Sequence, residues 1–228
     1  MSLLPYDIVS IEPTRIGIVV LQSDETIERD MMQMRGTADL FFSRVPSGQE
    51  VTAETLQSMA GHIEASAALF PQTLHFNAVG YGCTSGSTII GELRVSELIQ
   101  SHHPTVPTSN PLTAAKAALK QLGVKRLGLV TPYRPDVTEL MQARFEEAGI
   151  VIQSVGSFYQ QDDRVVGRIT PEAILDAALA IGQNDLVDGV FISCTSLRAA
   201  GIVGQAEAAL GKPVTASNHA LAWHLVPI

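Results

Sequence analysis

An internal repeat restricts the fold of this 228-residue chain more than any other feature. Three separated pairs of segments share one offset of 111 residues: RIGIV at 15–19 with RLGLV at 126–130, Ile63 and Ala67 with Ile174 and Ala178, and Cys83-Thr84-Ser85 with Cys194-Thr195-Ser196. A constant offset over that distance indicates a duplicated structural unit. The only two cysteines of the chain therefore occupy equivalent positions in two copies of one βα unit.

Short apolar runs alternate with amphipathic segments within each copy. Strands are predicted at 15–21, 39–45, 73–82, 126–131, 150–156 and 188–194, and helices at 24–34, 52–70, 87–100, 111–122, 136–148 and 171–181. Continuous apolar strands that alternate with helices are typical of a parallel sheet covered on both faces. We therefore predict an α/β fold of two pseudo-symmetric parallel-sheet domains, the first formed by residues 1–108 and 217–228 and the second by 109–216.

Composition and charge narrow the class of protein. A formal net charge of -8 without a basic cluster argues against binding to nucleic acid. No apolar run approaches the roughly 20 residues that cross a bilayer, and the N-terminal segment lacks the pattern of a signal peptide. Two unpaired cysteines in such a chain lead us to expect a cytoplasmic protein.

Both cysteines follow a predicted strand, at the sheet edge where parallel α/β proteins bind ligands. We expect the Thr-Ser after each cysteine to supply hydroxyls and free backbone N–H groups at a helix start, which attract a carboxylate and favour the thiolate. Two thiols facing each other across a cleft could act on one substrate as base or nucleophile and as acid. Such a site needs no cofactor and no metal.

Three other interpretations of the cysteines are a buried structural role, a disulfide and a zinc site. A single strand cysteine is usually a buried structural residue, but equivalent positions before the same dipeptide favour function. A disulfide disagrees with a cytoplasmic setting. Zinc is disfavoured because none of the six histidines forms a ligand pattern with Cys83 or Cys194.

The motifs GYGCTSGS and SCTSLR resemble those of the Asp/Glu racemase superfamily, in particular its maleate cis–trans isomerase branch, which includes the ectoine-utilisation protein A group. The resemblance implies a cofactor-free active site in the cleft between the two domains and a homo-oligomer, a dimer or tetramer. It implies that Cys83 is the nucleophile or first base and Cys194 the partner acid. It also implies a set of substrate-binding residues: Tyr133 as a carboxylate donor, backbone N–H groups near Thr84, Ser85, Thr195 and Ser196, and the residues at positions 24 and 163.

This chain departs from the isomerase pattern at two positions. Where those enzymes resemble SSNTT after the first strand, this sequence has QSDET, which puts Asp24 in place of an asparagine. The second asparagine is replaced by Asp163, or by Asp162 if the register slips. Two ionised aspartates would repel maleate and attract an ammonium group, unless both only cap helices. Asn110 and Asn218 are expected to cap or brace the cleft.

We therefore expect a cofactor-independent isomerase or racemase of a small carboxylic or amino acid. Two alternatives stay open: a decarboxylase of malonate-type acids, from a related branch that keeps only the second cysteine, and a small-acid binding protein without turnover. The presence of Cys83 weighs against the decarboxylase.

Overall fold

Two four-stranded parallel sheets, one from each repeat, form the framework of the protein. The structure is a computed structural model that describes residues 3–8, 10–48 and 50–226. The first sheet has the order β2-β1-β3-β4 and the second the order β6-β5-β7-β8. The strands are β1 Arg15–Leu21, β2 Asp39–Val45, β3 Ala78–Gly82, β4 Thr108–Ser109, β5 Arg126–Thr131, β6 Val151–Ser157, β7 Gly189–Ile192 and β8 Val214–Ala216. The equal strand orders confirm the predicted duplication and the α/β class.

Helices cover both faces of the sheets, as parallel strands require. They are α1 Ile27–Met34, α2 Ala53–Ser58, α3 Ala60–Ala67, α4 Thr84–Ile90, α5 Glu92–Gln100, α6 Pro111–Gln121, α7 Pro135–Glu147, α8 Asp163–Val166, α9 Pro171–Gly182, α10 Val203–Leu210 and α11 Ser217–Leu225, with a 3-10 turn at Ala200–Ile202. No helix of the described residues is long and apolar enough to span a membrane.

The central strands were the most predictable elements because they are buried along almost their whole length. β1 and β5 have the predicted bounds, and every residue after the first arginine of each strand is buried. The predicted helices over 52–70 and 87–100 are each two helices in the structure. Gly91 separates the second pair with a φ of +93°, a conformation that a glycine adopts without strain.

The C-terminal helix α11 packs on the first sheet although it follows the last strand of the second. Leu221 and Leu225 belong to a buried cluster with Ile16, Ile18 and other β1 residues. At Gly80 of β3 a Cβ atom would lie 2.6 Å from Leu225 Cδ1, so a larger residue there would force the Leu225 side chain to move. This packing supports the assignment of 217–228 to the first domain, which remains a prediction. Residues 1–2 and 227–228 lie outside the described residues.

Candidate active site

Cys83 and Cys194 line one pocket at the carboxyl ends of the two sheets. Both thiols are free and buried. The pocket is lined by Leu21, Ser23, Ser47, Gly48, Glu50, Val51, Thr55, Leu56, Met59, Cys83, Thr84, Ser85, Tyr133, Asp163, Cys194, Thr195 and Ser196. Its free volume is about 20 Å³, which is room for about one water molecule. Of the predicted substrate-binding residues, all except Asp24 lie in this lining.

Cys83 begins a helix and caps it with its own sulfur. It is extended, at φ -150° and ψ 116°, and its Sγ accepts a hydrogen bond of 3.2 Å from the Gly86 backbone N–H. The Ser85 hydroxyl lies 3.6 Å from the same sulfur. The thiol, rather than the following Thr-Ser, therefore occupies the N-cap position of α4. At Gly86 a Cβ atom would lie 3.0 Å from the sulfur and 2.6 Å from the Tyr81 hydroxyl, so a larger residue would displace the buried Tyr81 side chain.

Cys194 lies in a strained turn instead of at a helix start. Its φ is +111°, which non-glycine residues rarely adopt. The Ser217 hydroxyl accepts a hydrogen bond of 2.9 Å from the Cys194 backbone N–H and lies 2.8 Å from the Thr84 hydroxyl. The expected helix start after this cysteine is therefore wrong, because the chain forms a turn there and becomes helical only at Ala200.

Hydrogen bonds between the two halves fix the positions of the cysteine loops. The Thr195 hydroxyl donates to the Gly82 carbonyl at 3.3 Å, so each loop contacts the other repeat. Asn218, in the first turn of α11, donates to the Thr195 carbonyl at 2.9 Å and to Asp30 at 3.0 Å. Asn110 instead caps α6, by accepting from the backbone N–H groups of its first turn. Asn218 thus braces the cleft and Asn110 caps a helix, which are the two structural roles expected from the sequence.

Burial raises the pKa of both thiols. It raises the pKa of Cys83 from 9.0 to about 11, although Ser85 and the Gly86 N–H act in the opposite direction. Burial also raises the pKa of Cys194, with the negative charge of Asp163 as the second cause. The expectation that the local helix field favours the thiolate is therefore wrong for this conformation, because loss of solvent outweighs the few donors near each sulfur.

Tyr133 is a buried residue of the pocket lining that interacts with both thiols. It follows β5 and is 1% exposed. Burial raises the pKa of its hydroxyl well above 10.0, and negative charge on Cys194 or Cys83 would raise this pKa further. The Ser193 hydroxyl lies 3.4 Å from the Tyr133 hydroxyl oxygen. Tyr133 therefore stays protonated and serves as a hydrogen-bond donor in the pocket.

The Asp24 carboxylate is hydrogen-bonded to the local backbone, and Asp24 does not line the pocket. Its Oδ1 accepts hydrogen bonds from the backbone N–H groups of Thr26 and Ile27 at 2.7 and 2.9 Å, where α1 begins. Its Oδ2 accepts a 3.5 Å contact from the Ser196 hydroxyl. Burial raises the pKa of Asp24. Asp24 thus caps a helix in the groove that adjoins the pocket, and the neighbouring Ser23 lines the pocket itself, so the contact of Asp24 with substrate stays a prediction.

Asp163, the first residue of α8, does face the pocket. It is 5% exposed, and its Oδ2 accepts a hydrogen bond of 2.6 Å from the Ser23 hydroxyl. Ser23 also lies 3.2 Å from the Ser47 hydroxyl, so polar side chains span the cleft. The neighbouring Asp162 caps α8 and pairs with Arg164 at 2.7 Å, which makes Asp163 and not Asp162 the aspartate of the pocket.

The segment between β2 and α2 closes the pocket, and the sequence did not identify it. This β2–α2 segment, residues 46–48 and 50–52, reaches from the first half to the second. The Val51 backbone N–H donates to the Gln161 carbonyl at 3.0 Å, and Glu50 forms an antiparallel bridge with Asp162. No pattern of residue types marks these positions in the sequence. Within the described residues, no group of three His, Cys, Asp or Glu is arranged to hold a metal ion.

Comparison with known proteins places this geometry in a family. The curated maleate isomerase of Alcaligenes faecalis is 24% identical over 216 residues, which cover 88% of this chain and 85% of that protein. A cysteine variant of the maleate isomerase of Pseudomonas putida S16, solved with maleate, superposes with a TM-score of 0.84 at 21% identity over 93% of this chain and 90% of that one.

A cysteine-to-serine variant of the Nocardia farcinica maleate cis–trans isomerase, solved with a covalently bound succinylcysteine intermediate, gives a TM-score of 0.83 at 24% identity over 93% of this chain and 91% of that one. These likenesses confirm the fold. The family model described as arylmalonate decarboxylase matches residues 16–228, nearly the whole chain. The chain therefore belongs to the arylmalonate decarboxylase family, which the resemblance to the Asp/Glu racemase superfamily anticipated.

Proposed function

We propose that this protein is a cofactor-independent isomerase, a cis–trans isomerase or racemase, that acts on a small carboxylic acid with Cys83 and Cys194. The observation that carries the proposal is that two free thiols at equivalent strand ends line a single pocket. Maleate isomerases are among the relatives that align over most of this chain. A thiol on each side of a planar substrate carbon supplies both a base or nucleophile and an acid.

In a cis–trans isomerisation, the Cys83 thiolate would form a C–S bond to one alkene carbon while the Cys194 thiol gives its proton to the other. The resulting single bond rotates. Cys194 then removes the proton, the double bond re-forms and the C–S bond breaks, which restores Cys83. The succinylcysteine adduct of the Nocardia farcinica isomerase supports an intermediate of this type. In a racemisation, one sulfur would remove the α-proton and the other would return a proton to the opposite face.

The substrate carboxylate would bind at the inner end of the pocket. Tyr133 offers a protonated hydroxyl close enough to both sulfurs to interact with them. Thr84 and Ser85 on one side, and Thr195 and Ser196 on the other, belong to the same lining, and their backbone N–H groups would be further donors to the carboxylate. Hydrogen bonds to a negative oxygen that strengthen as charge develops would favour the transition state.

Substrate entry requires that the pocket open, since its free volume of about 20 Å³ is too small for a dicarboxylic acid. The β2–α2 segment is held to the second half by the Val51 and Glu50 backbone contacts. Breaking these contacts would expose the pocket, and re-forming them would exclude water around the reacting thiols.

Decarboxylation of a malonate-type acid is the second candidate, because the matching family model carries that description. Cys83 favours the isomerase, since the decarboxylase branch that this chain resembles keeps only the second cysteine.

We also propose that the protein is a cytoplasmic homo-oligomer. Light scattering of the purified protein would test the oligomeric state.

Two substitutions test the reaction. Deuterium exchange at the α-carbon and cis–trans conversion would be followed by NMR over a panel of amino and dicarboxylic acids. Cys83→Ser and Cys194→Ser should each lower turnover by about a hundredfold or more. If the reaction is an addition, only Cys194→Ser should accumulate a substrate adduct, visible by mass spectrometry as added mass on Cys83. Both variants keeping wild-type turnover would refute the proposal, and carbon dioxide release from a malonate would favour the decarboxylase.

A further inference from the structure

Asp163 is a pocket carboxylate for which the proposed reaction has no task. It is 5% exposed and lines the pocket together with both thiols. Its Oδ2 accepts the Ser23 hydrogen bond of 2.6 Å, but among the described residues no donor reaches its Oδ1. Asp163 also lines the outer groove that adjoins the pocket, and Oδ1 is not fully buried, so this oxygen can be reached from the cleft and can accept a hydrogen bond from a ligand.

The charges around Asp163 make a cationic donor the natural one. The described lining of the pocket contains one buried carboxylate, Asp163, together with the exposed Glu50, and no Lys, Arg or His. A dianionic ligand would therefore add negative charge to a site that already carries it and is poorly solvated. Like charges at close range in such a site cost free energy.

The two arginines that line the groove adjoining the pocket are paired with other carboxylates. Arg44 and Arg164 line the outer groove that adjoins the pocket, not the pocket itself. Arg164 pairs with Asp162 at 2.7 Å, and Arg44 pairs with Glu28 at 2.7 Å. Neither arginine forms a hydrogen bond or ion pair with Asp163 in the described part of the chain.

We propose that Asp163 and Ser23 form a subsite for an ammonium group, so that the ligand of this pocket is an amino-bearing carboxylic acid. The free Oδ1 would accept one N–H of the ammonium, and the hydroxyl oxygens of Ser23 and Ser47 are further acceptors within the same polar group. The carboxylate of the ligand would bind at the Tyr133 end of the pocket. Turnover of such a ligand rests on the proposed two-thiol reaction, but its binding does not.

Matched ligand pairs test the subsite by calorimetry. Aspartate and succinate, glutamate and glutarate, and 2-aminobutyrate and butyrate differ within each pair only by an ammonium group in place of hydrogen. In at least one pair, with either enantiomer, the amino member should bind about tenfold tighter or more. Asp163→Asn should abolish this preference, because it keeps the shape and the Ser23 contact but removes the charge. The inference is overturned if no amino member binds about tenfold tighter than its partner. It is also overturned if the Asp163→Asn variant keeps the preference for the amino member.

Asp162→Asn is the matched control, since it removes an equal charge one residue earlier, from a side chain that pairs with Arg164 outside the pocket. It should leave the preference unchanged. The wild-type comparison needs no variant, so the test survives a folding defect. Failure of the two proposals is distinguishable: cysteine-dependent turnover without an amino preference overturns only the subsite. An Asp163-dependent preference with fully active cysteine variants overturns only the two-thiol reaction.

Discussion

The ligand-free protein should hold Cys83 as a neutral thiol well above neutral pH. Burial is the first cause, because a thiolate in the closed pocket loses its hydration. The Gly86 N–H and the Ser85 hydroxyl replace only part of that hydration. The negative charge of Asp163 acts in the same direction as burial.

The size of the effect follows from the shift in pKa from 9.0 to about 11. Two pH units correspond to ~2.7 kcal/mol against the thiolate. At pH 8, about 9% of an ordinary thiol with a pKa of 9.0 is ionised, whereas only about 0.1% of Cys83 would be. Because thiolate is the reactive form, alkylation at that pH should be about a hundredfold slower than for an ordinary thiol, before any steric effect.

Alkylation of the Cys194→Ser variant measures this pKa, since Cys83 is then the only cysteine. Iodoacetamide incorporation is followed by mass spectrometry across a range of pH. Steric shielding slows the reaction equally at every pH, so the pH dependence, not the absolute rate, is the readout. The rate should rise about tenfold per pH unit without a plateau below about pH 10. The urea-unfolded variant should reach its plateau near the ordinary value, and a folded-state plateau near neutral pH would refute the reasoning.

Three further predictions concern residues around the thiols. Ser217→Ala removes the acceptor that holds the Cys194 N–H in its strained turn, so kcat should fall more than tenfold with a smaller change in KM, and an unchanged kcat would contradict this role. Asp24→Asn keeps the helix cap but removes the charge. Because folding raises the pKa of Asp24, the ionised carboxylate destabilises the folded protein as pH rises. The variant should therefore unfold at a higher temperature than the wild type at pH 7, and this gain should vanish below about pH 3.8. Asp163→Asn should move the Cys83 alkylation profile to lower pH, and a shift to higher pH would contradict the charge coupling.

The repeat could be predicted because one offset of 111 residues recurs in separated segments, and the central strands because their signal is local. β1 and β5 are runs of apolar residues buried on both faces, so burial and sequence agree residue by residue. The site positions of Cys83 and Cys194 followed from the same reasoning, since each is fixed by the end of a buried strand. Helix breaks such as that at Gly91 were missed, because an amphipathic pattern continues across them.

Properties that depend on several elements together were not predictable. The sequence indicates a helix start after Cys83 but not that the pocket closes over it, so the direction of the pKa shift was wrong. Asp24 and Asp163 looked equivalent as replacements for asparagine. Only the structure distinguishes the aspartate that caps α1 from the one that faces the pocket. Val51 and Glu50 of the β2–α2 segment reach the pocket through backbone contacts that no side-chain pattern encodes.

Substrate selection and thiol reactivity are coupled through Asp163. Its negative charge raises the pKa of both Cys83 and Cys194. An ammonium group bound to Asp163 would cancel that charge, and thiolate formation would become easier in the complex than in the free protein. A dicarboxylate would have the opposite effect, since it adds negative charge beside the same sulfurs. In this proposal the residue that recognises the ligand also makes the thiols reactive only when the ligand is present, and the free protein keeps them protonated and resistant to oxidation.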